Sequence, residues 1–271
     1  MKSATEARNP LTKHIDQAST YEMLDMINKE NLNSVIAVDR ALPEIVKVVD
    51  AAAKAIEQNG RIIYVGCGTS GRNAVADAAE CPPTYGVDYN TVIAIIAGGA
   101  SAITRASEGA EDSAEKGKED LLEKQITSKD IVIGISASGN AAYIVSALET
   151  AKKQGCVTAA ISSNKQCKIA EIADYMICTE TGPEVITGST RMKAGNAQKM
   201  VLNMISTCAM VKTGKVYENL MINLKPTNTK LRARMIGIVT DILGTDPETS
   251  ENLLEENDFS ITKAISAYRG E

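Results

Sequence analysis

Two kinds of residue in this chain can do chemistry: carboxylates beside helix breaks, and hydroxyls in glycine turns. The strand-like run Ile62-Ile63-Tyr64-Val65 empties into Gly66-Cys67-Gly68-Thr69-Ser70-Gly71, after which the pattern becomes helical. A glycine turn between a strand and a helix aims free backbone N–H groups and the positive end of the helix dipole at one point. Thr69 and Ser70 add hydroxyl donors there, which makes a small anion site, most naturally for a phosphate. The plainer alternative is a tight turn in which Thr69 and Ser70 only cap the helix. A second turn of this kind, Gly134-Ile135-Ser136-Ala137-Ser138-Gly139-Asn140, ends another strand-like run. Two such turns on neighbouring strands can converge on one phosphate, whereas either alone reads equally as an ordinary serine-closed turn. Glu80 stands nine residues past Gly71, just before Cys81-Pro82-Pro83, where the helix is expected to end. A carboxylate at that point can face whatever the turn anchors.

Ser107-Glu108-Gly109-Ala110-Glu111-Asp112 places three acids around a glycine. Such a group is a solvated surface on most proteins; the functional alternative is that one acid faces the same crevice as Glu80. Farther on, Gly182-Pro183-Glu184-Val185-Ile186-Thr187-Gly188-Ser189-Thr190-Arg191-Met192-Lys193-Ala194-Gly195-Asn196 opens a long helix. Ser189 and Thr190 are placed to cap it, with Arg191 and Lys193 in its first turn. Cations there oppose the dipole unless an anion binds nearby, or unless their side chains reach solvent or a carboxylate.

The elements that must position these residues alternate. Strands are expected at Ile62–Val65, Thr91–Ala97, Ile131–Ile135, Val157–Ile161 and Tyr175–Cys178. Between them lie helical patterns near Arg72–Ala79, Ala102–Lys124, Tyr143–Gln154 and Cys167–Ala173. Residues 20–58 read as helices, and longer ones follow at Ser189–Lys212 and Thr227–Leu243. This order predicts an α/β fold, a mainly parallel five-stranded sheet with helices on both faces, whose ligands sit at the carboxyl ends of the strands. Gly244-Thr245-Asp246-Pro247 breaks the chain, so residues 1–243 are expected to form the main domain and 244–271 a small helical C-terminal subdomain.

Composition narrows the function. With 271 residues, 44% of them hydrophobic, the chain can bury a full core. A net charge of −5, no long basic run, no Trp and a single Phe (Phe259) argue against nucleic acid as a partner. MKSATEARNP has no apolar signal core and no stretch approaches 18 apolar residues, so neither export nor membrane spanning is expected. The six cysteines are scattered without a Cys-x-x-Cys pair, which suits reduced thiols in a cytoplasm. Cys67 and Cys81 flank the glycine turn as small packing residues or, alternatively, as reactive thiols. His14 is the single histidine, so multi-histidine metal sites are out and acid–base work falls to carboxylates.

Together, GxGTSGR, ECPPT, the EGAED segment and GPEVITGSTRMKAGxAQK closely resemble the N-acetylmuramic acid 6-phosphate etherases, a family of the sugar isomerase (SIS) domain class. The resemblance runs from Thr5-Glu6-Ala7-Arg8-Asn9-Pro10 to the C-terminal tail. It implies a cytoplasmic homodimer of cell-wall recycling, without metal or organic cofactor. Its reaction would release D-lactate from the phosphorylated amino sugar and leave N-acetylglucosamine 6-phosphate. By motif position, Glu80 matches the family's proton donor and Glu111 its other essential carboxylate. Thr69, Ser70, Ser136 and Ser138 match hydroxyls of the sugar-phosphate cradle, and Ser189 and Lys193 are further contacts. The chain departs from the family at Asn140-Ala141-Ala142, where Arg-Thr-Pro is usual, at Asn73-Ala74, where Leu-Gly is usual, and at Ala100, where a Glu is usual. Two other readings share the resemblance: a non-catalytic phosphosugar sensor of the glucokinase regulatory type, and an aldose–ketose phosphosugar isomerase.

Overall fold

A computed structural model describes residues 4–226 and 228–270. Five strands, β1 (Ile62–Gly66), β2 (Val92–Ile96), β3 (Ile131–Ile135), β4 (Val157–Ser162) and β5 (Tyr175–Cys178), form one sheet in the order β2-β1-β3-β4-β5 with every neighbouring pair parallel. These are the five segments expected, within two residues at each end.

Parallel strands need crossovers, and the helices supply them. They are α2 (Gly68–Tyr85), α3 (Ser101–Thr104), α4 (Ala114–Leu122), α5 (Ala142–Lys153) and α6 (Lys168–Ile172). Ile63, Val65 and Val132 pack on one face with Leu121 of α4, Tyr143, Ile144, Ala147 and Leu148 of α5, and Ile169 of α6. The alternate residues Ile62, Tyr64, Ile131 and Ile133 point the other way and are equally buried, so both faces are covered. The 38-residue helix α1 (Thr20–Glu57) lies against β1, β3 and β5.

Several boundaries differ from those the pattern suggests. Residues 20–57 are one helix, opened by a Ser19–Glu22 capping box and running through Pro43, which sits on an exposed face where water can take up the carbonyl its ring leaves free. Helix α2 likewise does not stop at Cys81-Pro82-Pro83 but continues to Tyr85. Proline's fixed φ is helical, and the prolines fall in the last turn, which Gly86 N–H closes on Pro82 O at 2.9 Å. The helix expected over 102–124 breaks into α3, a 3-10 turn at Ala110–Asp112 and α4. Gly109 takes φ +74° and Ser113 caps α4, its hydroxyl accepting from Lys116 N–H at 3.3 Å. Helix α7 spans Lys193–Lys212, starting four residues later than expected.

The chain divides into two compact units. The first comprises residues 1–78 and 90–209, the second Ala79–Tyr89 and Met210–Glu271. Within the second, α8 (Thr229–Leu243), α9 (Pro247–Glu256) and α10 (Ile261–Arg269) share a small core of Met235, Ile238, Val239, Leu254, Ile261 and Ala264. Asn228, Asp246 and Ser260 cap the three helices. The boundary expected after residue 243 falls inside this unit, between α8 and α9, which pack on one another. Thr227, the expected start of α8, lies outside the described residues. Among the described residues no helix is long and apolar enough to cross a membrane.

Candidate active site

The strand order decides where a ligand can sit. From β1 the chain crosses through α2 to β2 on one side, then returns to β3 on the other. That leaves a topological switch point between β1 and β3, where the crevice of an open parallel sheet forms. Gly66, the last residue of β1, pairs in register with Ile135, the last of β3. Cys67–Gly71 and Ser136–Asn140 therefore leave the sheet side by side at its carboxyl edge.

The first turn is shaped by close packing. A Cβ at Gly66 would lie 2.6 Å from Gly71 N, and one at Gly71 2.6 Å from the Ile96 side chain, so α2 can begin this near the strand only with glycine at both positions. Thr69 is half-buried, and Ser70, 7% exposed, donates its hydroxyl proton to Gln198 Oε1 at 2.9 Å. Asn73 Nδ2 donates to Gly195 O at 2.8 Å. The first two turns of α2 and of α7 are thus stitched together.

In the second turn Ser136 Oγ accepts from Gly139 N–H at 3.0 Å and Ser138 Oγ from Asn140 N–H at 3.3 Å, with 3.4 Å between the two hydroxyl oxygens. Because both serines take backbone protons, their own hydroxyl protons are left for one another and for an anion. Gly139 has φ +73°. Asn164 Nδ2 donates to Ala137 O and Ser138 O, and Ser162 Oγ to Ala137 O, so the end of β4 clamps the turn from below. Asn140 serves the same local order. Its Nδ2 donates to Ser138 O at 3.2 Å, and its Oδ1 accepts from Lys168 N–H. Helix α5 begins directly after this turn with no side chain capping it.

Glu111 is exposed on the 3-10 turn, but it lines a hollow of about 160 Å³ together with Cys67 and Gly68 of the first turn, Arg72, Ala97 and Ser107. The acidic segment and the phosphate-type turn therefore share one cavity. Arg72 is the strap that holds them together: its Nε donates to Ile103 O at 2.9 Å and its Nη2 to Arg105 O at 3.0 Å. Burial first, then the charges of Glu111 and Asp112, push the Cys67 thiol up to about 12. That direction disfavours a thiolate and accords with the packing role. Glu80 is exposed and belongs to the second unit, on the last turns of α2.

The start of α7 is organised differently from expectation. The cap is Glu184, fully buried, whose carboxylate accepts from Lys193 N–H at 3.0 Å and Ala194 N–H at 2.9 Å; Ser189 and Thr190 lie in the turn before it, half-buried. Lys193 does not face solvent or the two turns. Its side chain is 1% exposed, and its ammonium pairs with Glu30 of α1, which also accepts from Asn9 Nδ2 at 2.8 Å. Among the described residues no group of three or more His, Cys, Asp or Glu side chains is arranged to hold a metal.

Arg72, Asn73, Glu184, Gln198 and Glu30 carry no site role in the sequence pattern. Arg72, Asn73, Glu184 and Gln198 fall inside or beside the quoted motifs, but their partners are set by tertiary structure. Glu30 carries no local signal at all, its partner standing 163 positions away.

The chain is 48% identical over 261 residues to the N-acetylmuramic acid 6-phosphate etherase of Salmonella agona strain SL483, and 49% identical to that of Yersinia pestis strain Pestoides F. Each alignment covers 96% of this chain and 88% of the relative. The chain belongs to the N-acetylmuramic acid 6-phosphate etherase family. Two domain models also match parts of this etherase-family chain, the glucokinase regulatory protein N-terminal SIS domain at residues 44–152 and the SIS domain at 113–207. Among solved structures it is similar to phosphoheptose isomerase from Neisseria gonorrhoeae (TM-score 0.53, 18% identity, 70% of this chain and 98% of that one). It is also similar to a protein from Escherichia coli CFT073 (TM-score 0.53, 17% identity, 74% and 97%). At those identities the likeness establishes the SIS-type fold of this etherase-family member and no more.

Proposed function

We propose that this protein is a carbon–oxygen lyase that cleaves the C3 D-lactyl ether of N-acetylmuramic acid 6-phosphate, giving N-acetylglucosamine 6-phosphate and D-lactate. The observation that carries the reading is the family membership across 96% of the chain, whose sequence carries Glu80, Glu111 and both hydroxyl turns. An ether at C3 is a poor leaving group until C2, next to the C1 aldehyde of the open-chain sugar, loses its proton. One carboxylate takes that proton, the electron pair forms the C2–C3 double bond, and the C3–O bond breaks as an acid protonates the departing lactate oxygen. Water then adds, its oxygen to C3 and a proton to C2. Glu111 is the base and Glu80 the acid. Both are exposed in the single chain, so the desolvation that sets an acid apart from a base comes with the bound substrate. Thr69, Ser70, Ser136 and Ser138 hold the phosphate with the starts of α2 and α5. Ser189 is a further contact, and Lys193, committed to Glu30, holds the α1–α7 junction from which such contacts are presented.

The protein acts as a cytoplasmic homodimer in cell-wall recycling. Support for the dimer comes from α1, where Tyr21, Leu24, Leu32, Val35, Leu42 and Val46 are all exposed. At 100° per residue they fall within an arc of roughly 80°, a single apolar stripe that a second copy would cover. The match to the glucokinase regulatory domain favours one competing reading, a phosphosugar-binding regulator.

Incubation with N-acetylmuramic acid 6-phosphate and assay of D-lactate tests the proposal. Lactate release, with one solvent deuteron at C2 when the reaction is run in D2O, is expected. Binding without lactate would favour the regulator, and ketose formation an isomerase.

A further inference from the structure

We infer that Gln198 is a positioning residue that turns the Ser70 hydroxyl proton outward, toward the bound phosphate. This rests on the reading of the β1–α2 turn as the phosphate grip. Gln198 lies in the second turn of α7 and is 1% exposed. Its Oε1 accepts the Ser70 proton at 2.9 Å, while its Nε2, equally buried, has no partner. In that orientation two donors are misused: the buried amide N–H groups have no hydrogen-bond partner, and the hydroxyl that an anion needs is spent on an interior oxygen.

Half a turn of the amide about its last bond repairs both. Nε2 then donates to Ser70 Oγ, the buried donor is satisfied, and the hydroxyl's single proton is released to a phosphate oxygen. The backbone around the pair is fixed, because Asn73 Nδ2 holds Gly195 O and a Cβ at Gly195 would lie 3.1 Å from Thr69 Cγ2. Only the amide needs to rotate. A glutamine suits this position because it offers a donor and an acceptor in one shape, and the ligand's charge selects between them. Arg, Lys or Glu there would hold only one state.

The experiment compares Gln198→Met, Gln198→Glu and Ser70→Ala for the KM and kcat of lactate release and for the Kd of N-acetylglucosamine 6-phosphate, with thermal unfolding as the check on folding. Gln198→Met, which removes the donor at similar volume, is expected to raise KM and Kd about threefold to tenfold, the size of one neutral hydrogen bond, with no separate loss in kcat. That increment is expected to vanish in the Ser70→Ala background, because the amide acts through the hydroxyl. Gln198→Glu, which can only accept, is expected to weaken binding further than Gln198→Met, and it decides the matter if the methionine variant does not fold. If Ser70→Ala loses affinity while both Gln198 variants keep it, this inference is overturned and the phosphate grip stands. A Gln198→Met loss that persists in the Ser70→Ala background overturns it too. Unchanged affinity in Ser70→Ala removes the grip and the inference together.

Discussion

In the proposed mechanism, Glu80 and Glu111 are the residues on which the chemistry turns. Replacing either by glutamine keeps shape and hydrogen bonding but removes the proton acceptor or donor. Each change is expected to slow lactate release by about 10²- to 10⁴-fold while leaving the Kd for N-acetylglucosamine 6-phosphate within about threefold. Stopped-time lactate assays beside binding titrations check this, and near-normal turnover in either variant removes that residue from the mechanism. Gly139 is a backbone counterpart. At φ +73°, a Cβ there would stand 2.3 Å from Cys167 Sγ, so Gly139→Ala is expected to cost at least about 1–3 kcal/mol in denaturant unfolding and to raise KM by displacing Ser136 and Ser138.

At the scale of elements, α1 and α7 are joined by the buried Lys193–Glu30 pair. Removing one member strands the other's charge inside the protein. Glu30→Gln is therefore expected to destabilise by about 3–5 kcal/mol, and Glu30→Leu combined with Lys193→Met to recover much of it, as measured by urea unfolding. The sheet was readable in advance because buried parallel strands are short, β-branched runs bounded by turns, a property each strand carries locally. The serine turns were readable for the same reason. What could not be read depends on partners far along the chain: the unbroken passage of α1 through Pro43, the cap on α7 supplied by Glu184, and the destination of the Lys193 ammonium. A local pattern identifies a cation near a helix start but not the glutamate on another helix that will neutralise it. The late start of α7 has this origin, since Ser189 and Thr190 look like caps only until Glu184 takes the N–H groups.

For the molecule as a whole, two expectations concern assembly and acid stability. Leu42→Glu places a charge in the exposed stripe of α1 and is expected to convert a dimer to monomers in sedimentation equilibrium while circular dichroism is unchanged. Asp130 governs part of the acid limit. Burial alone would raise its carboxyl, but the Arg61 guanidinium, with Nη2 at 2.7 Å, and the N–H groups of Thr127 and Arg61 outweigh it and hold it below the usual aspartate range. A group whose pKa is depressed by folding stabilises the native state above its unfolded value, near 3.9, and loses that contribution as pH falls toward its folded value. The unfolding temperature of the native protein is thus expected to drop on acidification below about pH 4 more steeply than that of Asp130→Asn.

The buried Glu184 carboxylate has one more effect, on the direction in which a substrate can lie. Three long helices, α2, α5 and α7, have starts within the first unit that bear on the crevice, but the protein's own anion already occupies the last of them. Only the two that follow β1 and β3 keep their amide protons unclaimed by a capping acid. Under the proposed function, a sugar with one doubly charged end would meet a single electrostatic address, its phosphate drawn to the glycine turns and its reactive carbons set at a constant remove from them. Polarity of this kind would then select one binding pose before any side chain has touched the ring.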